Sequence, residues 1–279
     1  GPNGAGKTTT MRLLTGFLHP SAGSIRMAGH DMADESERLA ARRKIGYLPE
    51  TTPLYNEMLV SEYLSFMGRV HGLEGEHLER RARELLELLE LGSHFFTPIG
   101  LLSKGFRQRI ALAATLIHQP EIIILDEPTS GLDPNQIAHI RKLIRELGES
   151  ATLILSTHIL QEVEDICDRV IIISNGRIVA DDETARLRQS ANQLSCGVVV
   201  KAGSEARSRL ESLAPVGSVR EAGPADDLEA PDGYQGWVCE LKSGQPEELF
   251  QALAASGLAV RSLQPVTRSL EDIFKELTN

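Results

Sequence analysis

The chain has 279 residues, of which 41% are hydrophobic, enough to bury a substantial core in one large domain or two unequal ones. Its formal net charge is -10 at pH 7. The general field of such an acidic chain repels nucleic acid and anionic membrane surfaces, although a local basic patch escapes this restriction. The composition therefore indicates a folded globular protein and argues against a nucleic-acid partner.

The cysteines Cys167, Cys196 and Cys239 are odd in number and far apart. This spacing fits neither a disulfide framework nor a paired metal site, so we interpret them as thiols of a cytosolic protein. No apolar run approaches the roughly 18 to 20 residues that span a bilayer. If the protein works at a membrane, we expect another chain to supply the membrane part.

The sequence opens on GPNGAGKTTT, in which Gly1, Gly6, Lys7 and Thr8 have the spacing of a phosphate-binding loop. Backbone N–H groups of such a loop surround a phosphate, and the lysine adds a positive charge. Residues 7–15 contain neither Pro nor Gly and predict a helix whose N-terminus faces the phosphates. The alternative is a glycine-rich turn that matches the spacing by chance.

A buried strand normally precedes a loop of this kind, whereas this sequence begins at the loop itself. Gly1 is neither an initiator Met nor a natural domain start. We therefore expect an N-terminal truncation that removes the first strand, together with any aromatic residue that stacks on a nucleotide base.

A second half-site is predicted in EIIILDEPTSGLDP, residues 121–134. The apolar run 122–125 is typical of a parallel strand buried on both faces, and Asp126 and Glu127 follow it at the end where ligand sites form. Asp126 would hold Mg²⁺ through water, and Glu127 would polarise an attacking water. Two acids after a strand are common, so this prediction depends on the loop at residues 1–8.

Residues 152–155 repeat the pattern of a buried strand, and His158 lies just past its end. A single His is more often a surface or core residue than a catalytic one, but this position favours a role in the site. The sequence therefore adds His158 to the candidate residues.

The remaining elements of this half predict an α/β fold. A third apolar run at 170–173 leads into the hairpin signal Asn175-Gly176 and a return strand near Ile178. Helices predicted at 134–147 and 159–166 complete the βαβ alternation of a parallel sheet covered by helices.

Residues 101–120, LLSKGFRQRIALAATLIHQP, predict an amphipathic helix with Ser103 as its N-cap. Arg107 and Arg109 lie in or near its first turn, where cations oppose the helix dipole. We expect a nearby anion to relieve this conflict.

Taken together, these segments resemble the nucleotide-binding subunit of ABC transporters over residues 1 to about 185. The matching pieces are the Walker A loop 1–8, the signature 102–106, the Walker B strand with Asp126 and Glu127, the D-loop 130–133 and the switch His158. Their order and spacing are specific to that family. The resemblance implies a P-loop NTPase with a parallel central sheet and a helical subdomain, and MgATP as the substrate.

In that family two subunits pair head to tail, which implies that Ser103 and Gly105 contact the γ-phosphate held by Lys7 of the opposite copy. The implied catalytic residues are Glu127 and His158, and the implied metal ligands are Thr8, Glu50 and Asp126. The implied nucleotide-binding set is Gly1, Pro2, Asn3, Gly4, Ala5, Gly6, Lys7, Thr8, Thr9, Ser103, Gly105 and Asp133.

Three residues depart from the family pattern. The signature has Lys104 and Phe106 where LSGGQ is usual, which adds a charge and removes an amide. The glutamine that ligands Mg²⁺ in the family is replaced by Glu50, which still offers an oxygen ligand. We expect function to be retained with altered detail.

The stretch from YLPE to SEYLSFM, the signature lysine and the closing SLEDIFKEL resemble the exporter branch with ABC-2-type permeases, including the gliding-motility-associated type. This implies a subunit on the cytoplasmic face of the membrane, paired with a second copy or subunit. Residues 51–118 would form the helical subdomain, with permease contact near 51–58. We interpret the leucine stripe Leu78, Leu85, Leu88 and Leu89 mainly as ordinary core packing.

The nucleotide-binding domain is predicted at 1–190 and a small accessory domain at 195–279. The tail predicts the order βαββαβα, which suggests a ferredoxin-like α+β module. Its strands are predicted at 198–201, 216–221, 237–241 and 258–263, and its helices at 205–213, 247–255 and from Ser269, where Asp272 completes a capping-box spacing. The segment 224–233 is predicted to be a solvated loop.

The leading hypothesis is an ATPase subunit that powers export of an unknown substrate through a separate permease. One alternative is a soluble ABC ATPase acting mechanically on a ribosome or on nucleic acid, but those relatives usually carry two cassettes or a long coiled coil, and no sustained heptads occur here. A small-molecule phosphotransferase would leave the signature and His158 without a role.

Overall fold

The computed structural model describes residues 1–187, 195–223, 226, 228–242, 245–266 and 274. They form two compact units. One consists of Gly1–Ile166 and Ile173–Arg177, and the other of Cys167–Ile172 and the described residues of Ile178–Asn279. The predicted boundary near residue 190 differs from this division, because it assigns Cys167–Ile172 and the residues from Ile178 to 190 to the first domain.

The first unit contains a three-stranded parallel sheet and most of the helices. Its elements are α1 (Lys7–Leu14), β1 (Arg26–Met27), β2 (His30–Asp31), α2 (Glu35–Arg43), β3 (Ile45–Leu48), α3 (Val60–Val70), α4 (Gly75–Leu88), α5 (Lys104–Leu116), β4 (Ile122–Asp126), α6 (Pro134–Gly148), β5 (Thr152–Ser156) and α7 (Leu160–Ile166). The helices predicted at 7–15, 134–147 and 159–166 are confirmed, and so are the strands predicted at 122–125 and 152–155.

The central strand β4 is buried on both faces, as predicted. The sheet order is β3-β4-β5, with Asp126 opposite Ser156 at its carboxyl edge. Ile123 and Leu125 pack into a core shared with α3, α4, α5 and α6, while Ile124 packs on the other face with residues of α1 and β3. The strand is buried on both faces, and its parallel register with β3 and β5 places Asp126 at the carboxyl edge of the sheet.

Helices α3, α4 and α5 pack on one another in a shared core, but the predicted leucine stripe of α4 is wrong at one position. Leu78, Leu85 and Leu89 are buried, whereas Leu88 is 40% exposed and Leu86 is buried instead. At about 100° per residue around the helix axis, Leu78, Leu86 and Leu89 lie on one side of Leu85, and Leu88 lies on the opposite side. The buried face of α4 therefore includes Leu86 and excludes Leu88.

The longest described helix, α6, has 15 residues. Within the described ranges, no helix combines the length and the hydropathy needed to cross a membrane.

The predicted hairpin is confirmed as β6 (Arg169–Ser174) and β7 (Arg177–Glu183). Asn175 and Gly176 join the strands with φ angles of 50° and 73°. Both angles lie in the left-handed region that a two-residue turn of this type requires, and Asn and Gly tolerate that region best.

The second unit contains the strands and helices of the predicted accessory module: β8 (Ser195–Lys201), α8 (Ala206–Glu211), β9 (Val216–Glu221), β10 (Tyr234–Leu241), α9 (Pro246–Ser256) and β11 (Val260–Pro265). The sheet is antiparallel with order β11-β8-β10-β9, the ferredoxin-like arrangement that the sequence predicts. The predicted final helix from Ser269 lies outside the described residues, and the 224–233 loop is described only in part.

Replacement of Leu85 by Ala should lower the free energy of unfolding by about 2 to 5 kcal/mol, because it opens a cavity in the core beside α5. Leu88→Ala is the matched control on the same helix and should cost less than about 1 kcal/mol, since Leu88 is partly exposed. Urea unfolding followed by circular dichroism measures both changes. Equal losses in the two variants would contradict the observed orientation of α4.

Candidate functional site

The loop before α1 is shaped by two glycines in the left-handed region. Gly4 has a φ of 77° and Gly6 a φ of 109°, and Gly6 is the N-cap of α1. Ala5 between them is buried, and its carbonyl accepts a hydrogen bond of 3.0 Å from the backbone N–H of Gly176. The hairpin turn at Gly176 thus supports the loop from one side.

The N-terminus of α1 has the features of an anion-binding site. Among the described residues, its first turn contains no acidic residue, and no side chain caps it. The first N–H groups of a helix have no partner within the helix, and the dipole makes that end positive. Thr8 and Thr9 stand in this first turn directly after Lys7. A phosphate at this end would satisfy the free N–H groups.

The ammonium group of Lys7 turns back into the loop. Its Nζ donates to the carbonyl oxygens of Gly1 at 2.8 Å and Pro2 at 3.2 Å. Nζ also lies 3.6 Å from Oε1 of Glu127. The lysine of the loop and the acid after β4 are therefore brought together, although 120 residues of sequence separate them.

Glu127 stands at the centre of the site in a strained conformation. Its φ is 50°, a value that non-glycine residues adopt rarely and often at functional sites. Its backbone N–H donates to Ser156, to the carbonyl oxygen at 3.1 Å and to the side-chain oxygen at 3.2 Å. Nδ1 of His158 lies 2.7 Å from its Oε2. The carboxylate thus lies between the ammonium of Lys7 and the imidazole of His158.

Asp126 is fully buried and only half satisfied. Oδ1 accepts a hydrogen bond from the hydroxyl of Ser156, while Oδ2 has no hydrogen-bond partner among the described residues. A buried unpartnered carboxylate oxygen fits a ligand to a hydrated Mg²⁺. Its charge is also felt by Tyr47 on β3, whose pKa is raised by burial and by the carboxylate of Asp126.

Glu50 is exposed and follows β3, two residues after Leu48, which pairs with Leu125. The parallel register therefore places Glu50 at the same sheet edge as Asp126. No group of three or more His, Cys, Asp or Glu side chains able to hold a metal occurs within the described ranges. A cation at this edge would need other oxygen ligands, such as the hydroxyl of Thr8, phosphate or water.

The signature residues have local roles within the described structure. Ser103 is the N-cap of α5, as predicted, and accepts from the N–H of Phe106 at 3.4 Å. Gly105 lies so close to Gln136 that a methyl group there would collide with the amide of that side chain. Asp133 caps α6 by accepting from the N–H of Gln136 at 3.0 Å. The contacts described for these residues are with Phe106 and Gln136, not with Lys7, Glu127 or His158.

The basic start of α5 is stabilised by the chain itself. Arg109 binds Oε2 of Glu90 at 3.2 Å and the carbonyl of Leu89 at 3.3 Å, and its guanidinium lies 5.0 Å from the ring centroid of Phe106. His94 packs on the same ring at 4.3 Å. For Arg109, the anion expected from the helix dipole is therefore supplied within the subunit by Glu90.

Sequence reasoning missed three polar residues of the site. Ser156 holds both Asp126 and Glu127, Gln108 donates to the carbonyl of Pro128 at 3.0 Å, and Thr157 adjoins His158. A signal for Ser156 was present, because it ends β5, the strand that pairs with β4, and end residues of parallel strands meet at one edge.

Comparison with known proteins identifies the family. The family model for ABC transporters matches residues 1–130. The uncharacterized ABC transporter ATP-binding protein YxlF of Bacillus subtilis (strain 168) is 34% identical over 280 residues, covering 100% of this chain and 88% of the relative. The Nod factor export ATP-binding protein I of Ralstonia nicotianae is 33% identical over 282 residues, covering 100% of this chain and 83% of the relative.

A solved structure agrees. The dimeric ATP-binding cassette MJ0796 in a post-hydrolysis state, bound to ADP and Pi, is 26% identical, with a TM-score of 0.60 over 65% of this chain and 82% of that one. The resemblance read from the motifs is therefore confirmed. The chain belongs to the family of ABC transporter ATP-binding proteins and is an ATPase of that family, with Mg²⁺ and ATP as its cofactors.

Proposed function

We propose that this chain hydrolyses MgATP at the Lys7–Glu127–His158 cluster and powers export through a separate ABC-2-type membrane permease. The observation that carries the proposal is the carboxylate of Glu127, which contacts both the lysine of the phosphate loop and the imidazole after β5. An acid, a cation and an imidazole at the N-terminus of a helix suit phosphoryl transfer to water.

The phosphate groups of ATP would occupy the loop from Gly1 to Gly6 and the first turn of α1. Lys7 already reaches the interior of the loop, where its present partners are two carbonyl oxygens and a carboxylate. Phosphate oxygens would replace these partners, while Asn3, Gly4 and Ala5 contribute backbone N–H groups and Thr9 extends the first turn. The positive φ of Gly4 and Gly6 supports this close approach of the backbone.

Mg²⁺ would be held by the hydroxyl of Thr8 and, through water, by the unpartnered Oδ2 of Asp126, with Glu50 at the same edge. When bound, the ion supplies positive charge to the phosphate oxygens. Ser156 would keep Asp126 oriented for this role, because its hydroxyl occupies the other carboxylate oxygen. Glu50 would contribute an oxygen where the family has an amide.

Glu127 would orient the attacking water and accept its proton. His158, which Glu127 holds at 2.7 Å, would donate to the γ-phosphate as charge develops on it. The left-handed backbone of Glu127 supports this role, since it turns the side chain away from the strand direction toward Lys7.

Two copies of the chain, or this chain and a second nucleotide-binding subunit, would pair head to tail. Ser103 and Gly105 of one copy would then complete the γ-phosphate site of the other, and Asp133 would lie at the contact. A dimeric relative bound to ADP and Pi supports this arrangement. The local roles of Ser103 and Asp133 as N-caps are compatible with it, since capping fixes both helix ends that would face the partner.

Export is supported by a relative named for Nod factor export, which matches this chain over its whole length, including the tail. Residues 1–190 would carry the nucleotide site and 195–279 the accessory module. The helical subdomain at 51–118 would contact the permease at the cytoplasmic face of the membrane. The net charge of -10 supports a protein partner over nucleic acid.

Glu127→Gln should lower kcat for ATP about 100- to 10,000-fold, because it removes the proton acceptor. Its ATP affinity should change little, since the amide keeps the shape of the side chain and the loop is untouched. Steady-state hydrolysis assays and calorimetry with MgATP measure the two quantities. Glu121→Gln, an exposed acid just before β4, is the matched control. Undiminished turnover in Glu127→Gln would remove the role assigned to Glu127.

Affinity capture of the chain from its own cells, with detergent-solubilised membranes, should recover a multi-span membrane protein. Recovery should survive 0.5 M salt, at which the Debye length is only about 4 Å and exposed charges are screened, if apolar contacts hold the complex. Mass spectrometry identifies the partner. Recovery of ribosomes instead, lost as salt is raised, would support the mechanical ABC ATPase and contradict the exporter.

A further inference from the structure

Glu162 is a buried acid next to the site that the proposed chemistry does not use. Its side chain lies on α7 with 0% exposure, a rare position for a carboxylate unless it is paired. Its Oε2 accepts a hydrogen bond of 2.7 Å from the hydroxyl of Thr157, and its Oε1 lies 3.6 Å from Nη2 of Arg141 on α6.

The hydroxyl of Thr157 makes two hydrogen bonds with fixed directions. An ionised carboxylate only accepts, so the hydroxyl proton of Thr157 points at Glu162. The oxygen of the same hydroxyl is then free to accept from the backbone N–H of Ile159 at 3.0 Å. One hydroxyl therefore ties together the residues on both sides of His158.

Arg141 balances the charge of Glu162 and links it to α6. Its second contact is with Asp165 on α7, at 3.2 Å, and Arg145 binds the backbone carbonyl of the same residue. α6 begins at the cap of Asp133, so α7 is attached to the helix that follows the D-loop. A buried carboxylate without such a cation would be strongly destabilised.

We propose that Glu162 is a positioning residue for His158: through Thr157 it fixes the backbone that holds the imidazole on Glu127. The inference rests on the proposed function, since it concerns the same hydrolytic cluster. Arg141 lies beside the carboxylate of Glu162, and the hydroxyl of Thr157 transmits the position. Neither Glu162 nor Thr157 contacts the phosphate loop in the described residues, so their effect falls on hydrolysis and not on ATP binding.

The test replaces the hydroxyl of Thr157 while keeping its shape. Thr157→Val should lower kcat about 10- to 100-fold, because a small displacement of a catalytic group costs rate steeply. KM for ATP should stay within about twofold, as expected when only transition-state interactions are lost. Thr157→Ser, which restores the hydroxyl, should recover most of the rate. Thr152→Val, at the exposed start of β5, is the matched control and should match the parent protein.

A merely structural role is separated by a double-mutant cycle. In a His158→Ala background, Thr157→Val should cause no further loss of kcat, because the group that it positions is gone. The inference is overturned if Thr157→Val keeps the parent kcat, if Thr157→Ser is as slow as Thr157→Val, or if the loss is repeated in full without His158.

Should Thr157→Val fail to fold, judged by its unfolding midpoint, Glu162→Gln takes its place. Its amide can donate as well as accept, so the direction of the Thr157 proton is no longer imposed, and kcat should fall severalfold at constant KM. An unchanged kcat in a folded Glu162→Gln protein overturns the inference.

The variant Lys7→Ala separates the two proposals. If Lys7→Ala hydrolyses ATP as fast as the parent protein, both the proposed function and this inference are removed. If Lys7→Ala abolishes hydrolysis but Thr157→Val leaves it unchanged, only the inference is removed.

Discussion

The contact of one carboxylate with two basic groups determines how the site is assembled. Glu127 lies 3.6 Å from the ammonium of Lys7 and 2.7 Å from the imidazole of His158. These three groups come from the start of α1, the end of β4 and the loop after β5. The parallel pairing of β4 with β5 places Glu127 and His158 at one edge of the sheet, and the start of α1 brings Lys7 to the same edge.

Two buried acids, Asp126 and Glu127, lie at the same edge of the sheet, and both need polar partners. Asp126 is fully buried, and Ser156 stabilises it by occupying one carboxylate oxygen. Ser156 also receives the backbone N–H of Glu127, so a single residue at the end of β5 supports both acids. The next residue, Thr157, forms a separate buried pair with Glu162. Such networks stabilise a protein only when nearly all members are satisfied, and Oδ2 of Asp126 has no hydrogen-bond partner among the described residues.

Local patterns in the sequence predict the elements that depend on local physics. The apolar run 122–125, the Asn175-Gly176 turn and the Ser103 cap are all found where the patterns place them, because periodicity and backbone preference decide them. Leu88 was mispredicted because the stripe of α4 is set by what packs against it. Two contacts join residues that are distant in the sequence: Glu90 with Arg109, and Arg141 with Glu162. The strained φ of Glu127 is likewise not indicated by its neighbours in the sequence. Spacing alone contains no signal for them.

The most direct measurement is a crystal structure of the protein with Mg²⁺ and a non-hydrolysable ATP analogue. Lys7 Nζ should leave the carbonyl oxygens of Gly1 and Pro2 and lie within hydrogen-bond distance of the phosphate oxygens, with His158 still beside Glu127. An analogue bound elsewhere, with Lys7 still on Gly1, Pro2 and Glu127, would contradict the assignment of this cluster as the nucleotide site.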